Sequence, residues 1–401
     1  MSRQLLMAGG GIGALSAALA ATRAGWEVRL YEQAHAFSEV GAGLQLGPNA
    51  TRVLHAWGLG HALSQVAAFP EQLVARSADS GAALGRLPLG PRCHKRYGAP
   101  YATLHRHDLH SVLLRALHTG GGAHLHLNSP VREFTETSDG VQLSWADGRV
   151  VEGDALLGAD GVWSAVRAQL LGDGPAQPTG HHAFRTLIPM ADVPAAVRGN
   201  EVAAWLGPRL HVVSYPVRGG EQLNVVVIVQ AEPASAPEAP SWDHKAVASD
   251  VQAALANCCT ALQDLVRAAP AWGRWTLFDR PPLSSPADMA RGRVALLGDA
   301  AHPMRPFLAQ GAGMALEDAA ELGRCLGPVQ DLHFGLPAAL GRYAAHRWQR
   351  VAQVQARARR NGEVFHATGL QRLGRDIGLG LLGRRLMDVP WLYGYKGQDQ
   401  V

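Results

Sequence analysis

The stretch that most constrains this chain is Leu5-Leu6-Met7-Ala8-Gly9-Gly10-Gly11-Ile12-Gly13-Ala14-Leu15, where an apolar run breaks into glycines and restarts as a small-residue helix. That order spells a strand, a tight turn and a helix whose free N–H groups and positive dipole end face a ligand's phosphates. In the frame G-x-G-x-x-(G/A), Gly9 makes the turn, Gly11 admits a pyrophosphate to the backbone, and Ala14 permits close helix-to-strand packing, with Gly13 beside it. Glycine-rich turns also close ordinary strand-to-helix corners. The companion signal is Val28-Arg29-Leu30-Tyr31-Glu32, a strand-like run ending in an acid where the ribose hydroxyls of a dinucleotide would lie.

A chain of 401 residues with 47% hydrophobic content buries a large core and divides into two or three domains. The net charge of +4 is mild, Lys95, Lys245 and Lys396 are the only lysines, and no basic stripe with interleaved aromatics points to nucleic acid. The cysteines Cys93, Cys258, Cys259 and Cys325 form no C-x-x-C pair, which argues against a metal site, a disulfide framework or a redox dithiol. Gly9 to Gly13 interrupts any secretory apolar core, and no run of about 18 apolar residues predicts a membrane span. A cytoplasmic protein is expected.

Along the chain, Gly41 to Ala50 is glycine-rich and ends in a Pro48-Asn49 helix start, either a plain loop or backbone packed close to something bulky. Phe69 to Ala99 predicts strands and loops. Leu104 leads into a helix through Leu113, Leu114 and Leu117 with Arg106 at its entrance, a phosphate contact or a surface residue. Val131 to Asp154 alternates, with a hairpin turn at Ala146-Asp147-Gly148-Arg149. Ala155-Leu156-Leu157-Gly158-Ala159-Asp160-Gly161 then repeats the opening grammar. Asp160 is either a helix cap or a ligand-facing residue.

The next hundred residues differ in character. Phe184 to Pro189, Leu210 to Pro216 and Val225 to Val229 read as strands, with a hairpin at Gly219-Gly220, a loop over Glu232 to Pro240 and one helix through Val251, Leu255 and Leu262. A third corner follows at Val294-Ala295-Leu296-Leu297-Gly298-Asp299, with a helix opening near Gly311-Ala312-Gly313. The remainder is helical and arginine-rich. Its Leu379, Leu381, Leu382, Leu386 and Met387 are expected to pack on the body, with a dimer contact left open.

The three corners together resemble the fingerprints of the single-component FAD aromatic-ring hydroxylases: Gly9 to Ala14; Gly158-Ala159-Asp160-Gly161 with Ser164 to Arg167; and Gly298-Asp299-Ala300-Ala301-His302-Pro303 with Leu308 to Ala312. Tyr97-Gly98-Ala99-Pro100-Tyr101, His211 with Tyr215, and Trp391 to Tyr395 are similar to the 3-hydroxybenzoate 6-hydroxylase and salicylate hydroxylase branch. The resemblance implies an α/β fold, in which a Rossmann-like FAD-binding domain (1–70, 101–178, 279–330) interleaves with a sheet-rich substrate domain (71–100, 179–278) before a helical C-terminal region (331–401). It also implies that Glu32 holds the adenosine ribose, Val131 the adenine, and Arg106 the flavin and pyrophosphate region. Asp299 would bind the ribityl chain, Asp160 would serve both FAD and NAD(P)H, and Pro303, Leu44, Gln45 and the backbone of Gly311, Ala312 and Gly313 would surround the isoalloxazine. Gln33 stands where relatives carry arginine, and Arg305-Pro306-Phe307 departs from the polar pattern of 3-hydroxybenzoate enzymes.

The implied reaction uses NADH or NADPH and O2 to hydroxylate a phenolic aromatic acid through a flavin C4a-hydroperoxide, with 3-hydroxybenzoate to gentisate as the leading expectation. Salicylate or hydroxynicotinate hydroxylation, a flavin dehydrogenase and a flavin redox sensor are the alternatives. An electrophilic oxygen needs an electron-rich ring, and a histidine can make one by deprotonating a phenol. His211 and Tyr215 lie four apart on a predicted strand and so share a face. They are either a base and substrate-orienting pair or a buried histidine and a sheet anchor.

Overall fold

Three neighbouring parallel strands bring the three glycine corners to one edge of a sheet. The computed structural model describes residues 3–37, 43–145, 147–231 and 244–397. Gln4–Ala8 pairs on one side with Glu27–Tyr31 and on the other with Ala155–Gly158, which in turn pairs with Val294–Leu296. Ala123–His126 and the short strand Ala290–Arg291 complete six strands. Ala155–Gly158 is buried at every position, which is why it reads as an unbroken apolar run rather than an alternating one.

The helices Ile12–Arg23 and Gly311–Leu326 follow the first and third corners and cross closely. A Cβ on Gly323 would lie 2.9 Å from that of Ala20. The meander Glu133–Glu136, Val141–Ser144 and Val150–Gly153 packs on the sheet, where a Cβ on Gly153 would meet Leu6 at 2.6 Å. At the first corner Gly9 has φ +100°, and a Cβ there would stand 2.4 Å from the Ala159 carbonyl oxygen. Only glycine lets the first two corners touch.

The second unit is an eight-stranded sheet in the order 244–246, 272–279, 177–189, 222–230, 210–217, 201–207, 72–77, 83–88. All its pairings are antiparallel except that of Glu201–Gly207 with Gln72–Ser77. One face is covered by helices, and the other carries Tyr215 and Val217 into a core shared with Met314, Val351 and Val354. The C-terminal helices are Gly335–Phe365, Gly369–Met387 and Pro390–Tyr393. The fold is therefore the interleaved α/β arrangement with a helical C-terminus.

Local details depart from expectation. The single helix through Val251 and Leu262 is two, Ala248–Ala254 and Thr260–Arg267, because the Cys259 N–H donates to the Ala78 carbonyl (2.8 Å) instead of continuing the first helix. Gly90–Tyr97 is a helix, started at Pro91 and stopped by Gly98 at φ +75°. Leu381 and Leu382 do not pack on the body. They are exposed, with Leu370, Leu373 and Ile377, while Leu379 and Met387 turn inward. Gly41, Ala42 and the loop Glu232 to Pro240 lie outside the described residues. Among the described residues no helix is long and apolar enough to cross a membrane.

Candidate active site

The corners open into a cavity of about 570 Å³ at the carboxyl ends of the parallel strands. Gly9, Gly11, Gly13, Glu32, Gln33, Leu44, Arg106, Val131, Asp160, Asp299, Pro303, Gly311 and Ala312 all line it. A Cβ built on Gly11 meets nothing within 4 Å, so the first turn of helix Ile12–Arg23 presents bare backbone to this space. The Glu32 carboxylate accepts the N–H groups of Gly10 (2.6 Å) and Ala34 (2.8 Å), which fixes the acid at the cavity's rim. Asp299 is open to the cavity yet enclosed by protein. Burial raises its carboxyl above the usual range, and it accepts no hydrogen bond among the described residues. An elongated ligand with a diphosphate at one end and sugar-alcohol hydroxyls at the middle satisfies these groups, as FAD does.

Three expected cofactor residues lie elsewhere. Ala14 is wholly buried in the helix-to-sheet packing, and Gly313 is turned toward Gln310, Asn49 and Ala50. Gln45 follows Leu44 on strand Gly43–Leu46, so the two side chains leave opposite faces and only Leu44 reaches this cavity. Asp160 combines both of its readings. Its carboxylate lines the cavity while accepting Ser164 Oγ–H (2.5 Å) and the N–H of Ala165 (2.8 Å), capping the helix Ala165–Leu171.

A second cavity, of about 340 Å³, lies beyond Gln45 and Pro306. Its walls are mainly apolar, from Leu73, Val202, Leu206, Val213, Phe307 and Leu379. Tyr101 donates to Gln45 Oε1 at 2.6 Å on its near side. Arg357, Arg360 and Arg375 also line it, and no acidic residue among the described residues does. Arg375 is held by Asp376 (2.8 Å) and the Phe365 carbonyl (2.8 Å), whereas Arg357 buries an Nε that has no partner.

His211 lines this second cavity with its ring completely buried. Burial, together with the neighbouring His366 and His181, pushes its pKa well below the ordinary imidazole value. Tyr215 does not line it. Four residues along a strand is roughly 13 Å, which places Tyr215 behind Gln45 and against Gly43, whose Cβ position is 2.7 Å from the tyrosine ring. The two share a face but not a compartment. Burial raises the Tyr215 hydroxyl above its ordinary value, with the Arg185 guanidinium opposing that.

Sequence reasoning missed two groups here. Arg185 faces the first cavity with its guanidinium 3.4 Å above the Trp275 ring centroid and no ion-pair partner among the described residues. His366 lies 155 positions from His211 and contacts it at 2.7 Å. Neither stands in a motif. His302 does not line the cofactor cavity but is wholly buried behind it, 2.5 Å from Asp318.

A family model described as "FAD binding domain" matches residues 3–358. The chain is 38% identical over 395 residues to a 3-hydroxybenzoate 6-hydroxylase of Polaromonas naphthalenivorans (strain CJ2), covering 98% of this chain and 96% of that one. It is 36% identical to a 6-hydroxynicotinate 3-monooxygenase of Bordetella bronchiseptica, covering 88% and 89%. The crystal structure of Klebsiella pneumoniae HpxO complexed with FAD and uric acid is similar with a TM-score of 0.83 at 26% identity, covering 96% and 95%. Three glycine corners around a dinucleotide-sized cavity, and near full-length kinship with named hydroxylases, place this chain in the FAD-binding-domain family as a flavoprotein monooxygenase.

Proposed function

We propose that this enzyme hydroxylates a phenolic aromatic acid held in the 340 Å³ cavity, consuming NADH and O2, with 3-hydroxybenzoate to gentisate as the leading substrate and product. The observation that carries the reading is the composition of that cavity: apolar walls, three arginines, no acid among the described residues, and a buried imidazole. An apolar slot accepts the ring, and an unpaired guanidinium such as that of Arg357 compensates a carboxylate's lost hydration. FAD, when bound, takes reducing equivalents from NAD(P)H and supplies activated oxygen. The net change is an aromatic C–H, O2, NADH and a proton giving C–OH, NAD⁺ and water.

The chain's own residues bind, orient and move a proton. Arg357 faces the carboxylate, and Gln45, fixed by Tyr101, stands at the boundary with the cofactor cavity. Tyr215 buttresses Gln45 from behind. His211 accepts the phenolic proton at Nε2, which is buried without a partner, and the ring becomes electron-rich enough to attack oxygen. The apolar walls disfavour water beside the reacting oxygen.

The likeness to a 6-hydroxynicotinate monooxygenase favours a second reading, a hydroxylated pyridine carboxylate, which the same arginines would hold. The proposal extends to a cytoplasmic enzyme whose second copy covers the exposed Leu370, Leu373, Ile377 and Leu381. A panel of 3-hydroxybenzoate, salicylate and 6-hydroxynicotinate, each assayed for stimulated NADH oxidation and oxygenated product, tests the assignment. If none of them speeds NADH oxidation or gains oxygen, the assignment is wrong.

A further inference from the structure

The only hydrogen-bond partner of the His211 ring among the described residues is another histidine, with its Nδ1 2.7 Å from Nε2 of His366. One proton occupies that contact, so the two tautomers are linked. If His366 donates, neutral His211 carries its hydrogen on Nε2 and cannot take a phenolic proton there. If His211 donates, its Nε2 keeps a free lone pair and His366 carries its hydrogen on Nδ1. Both outer nitrogens, His211 Nε2 and His366 Nδ1, are buried without a partner.

The surroundings decide where a proton can go. His211 is 0% exposed, so it cannot shed a proton directly to water; His366 is 8% exposed as a residue, though its Nδ1 is itself buried. The rings of Phe307 and Phe365 flank His211 at 5.2 and 5.4 Å. The half-buried His181, whose Nδ1 is 2.9 Å from the Thr179 carbonyl oxygen, lies 5.2 Å from His366 between ring centroids. The charged or titratable neighbours are Arg375 beside His366, and Arg305 and His182 beside His181. Arg357 and Arg360 stand across the cavity. Among the described residues no carboxylate bonds any of the three imidazoles, so none of these holds an imidazolium in place.

We propose that His366 is a positioning residue and the proton carrier that connects the buried base to solvent, a role that rests on the substrate reading above. The phenolic O–H proton passes to His211 Nε2, the proton on His211 Nδ1 passes to His366 Nε2, and the proton on His366 Nδ1 leaves toward His181 and water. Each ring ends neutral with its tautomer reversed, the substrate ends as a phenolate, and no electrons are exchanged. The next turnover requires the tautomers to reset.

The experiment compares the FAD-loaded wild type with His366→Leu and His366→Gln, using 3-hydroxybenzoate and a ring-fluorinated 3-hydroxybenzoate whose phenol ionises more readily. Expected for both variants is a roughly tenfold or larger loss of hydroxylation per NADH consumed, since base catalysis contributes about 10²–10⁴-fold. Rate should recover as pH rises and also with the fluorinated ring, while FAD content stays unchanged. Full activity in His366→Gln, which keeps a polar contact but cannot relay, would overturn the carrier role. So would equal losses on both substrates. Should the variants not fold, the wild type decides: a curved dependence of the hydroxylation rate on deuterium fraction supports several protons in flight, and a linear one overturns the relay. A wild type that oxygenates neither acid removes the substrate reading itself, a different failure.

Discussion

The helix Gly335–Phe365 carries a charge-balanced polar cluster near its middle and runs into a charge-free one at its end. In the first, Arg347 is wholly buried and donates to Asp318 (2.7 Å) and Glu317 (2.8 Å), while Arg350 donates twice to Glu317 (2.6 and 2.8 Å). Asn49, His302 and the Gly298 N–H complete it, so it ties helix Pro48–Ala56 and the third glycine corner to helix Gly311–Leu326. Burial disfavours the Asp318 anion, but His302 and Arg347 outweigh that and hold its carboxyl at about 2. The second cluster, His211, His366 and His181, contains no ion pair and borders a cavity. Fixed opposite charges make a scaffold, whereas neutral imidazoles can pass a proton on.

The contrast breaks most severely at Arg347. Arg347→Ala would leave buried Asp318 with His302 as its charge partner and Glu317 with Arg350 and Asn49, and should cost about 3–5 kcal/mol of stability, with FAD content falling in parallel, read by thermal unfolding and flavin absorbance. At the other cluster, His211→Ala should leave folding and FAD binding intact but reduce productive hydroxylation roughly 10²–10⁴-fold, with NADH oxidation continuing uncoupled. Unchanged coupling would eliminate His211 as the base. Arg357→Gln should raise KM for the aromatic acid roughly tenfold to a hundredfold, as loss of a charged hydrogen bond of about 1.5–3 kcal/mol implies. The corresponding phenol without a carboxylate should be unaffected.

Acid separates the clusters most finely. Burial lowers the pKa of folded His211, and with His181 and Arg375 nearby it lowers that of His366 to about 3, so below pH ~6.5 the unfolded chain binds protons that the folded one refuses. Stability contributed by keeping these rings neutral is therefore full above pH ~6.5 and drains as pH falls, by about 2 kcal/mol for His366 at pH 5. The Asp318 contribution is present above its unfolded value near 4 and is lost only as pH falls toward 2. Denaturation midpoints measured against pH should show both windows, and His211→Asn with His366→Asn should flatten the upper one alone.

The scaffold was legible because its corners use residues that little else can replace. Gly9 needs both a positive φ and the contact with Ala159, and an apolar strand precedes each corner. The second cavity was not, because it is assembled from strands near 73, 204 and 211 and helices near 357 and 379, each contributing an ordinary aliphatic or arginine residue. His211 and Tyr215 shared a face as their spacing said, but spacing carries no information about the wall of Gln45 that divides them. His366 closes an arginine-rich helix with no motif around it, and only tertiary structure brings it to His211.

The 31-residue helix that joins the two clusters is also a ruler. From Arg347 to His366 it measures roughly 28 Å at about 1.5 Å per residue, and each residue turns the chain by about 100°. One residue inserted between them would leave the cofactor corner clamped while swinging His366 about a quarter-turn away from His211. The distance between holding the flavin and handling the proton is thus written as a residue count, which tolerates substitution on the outer face far better than any change of length.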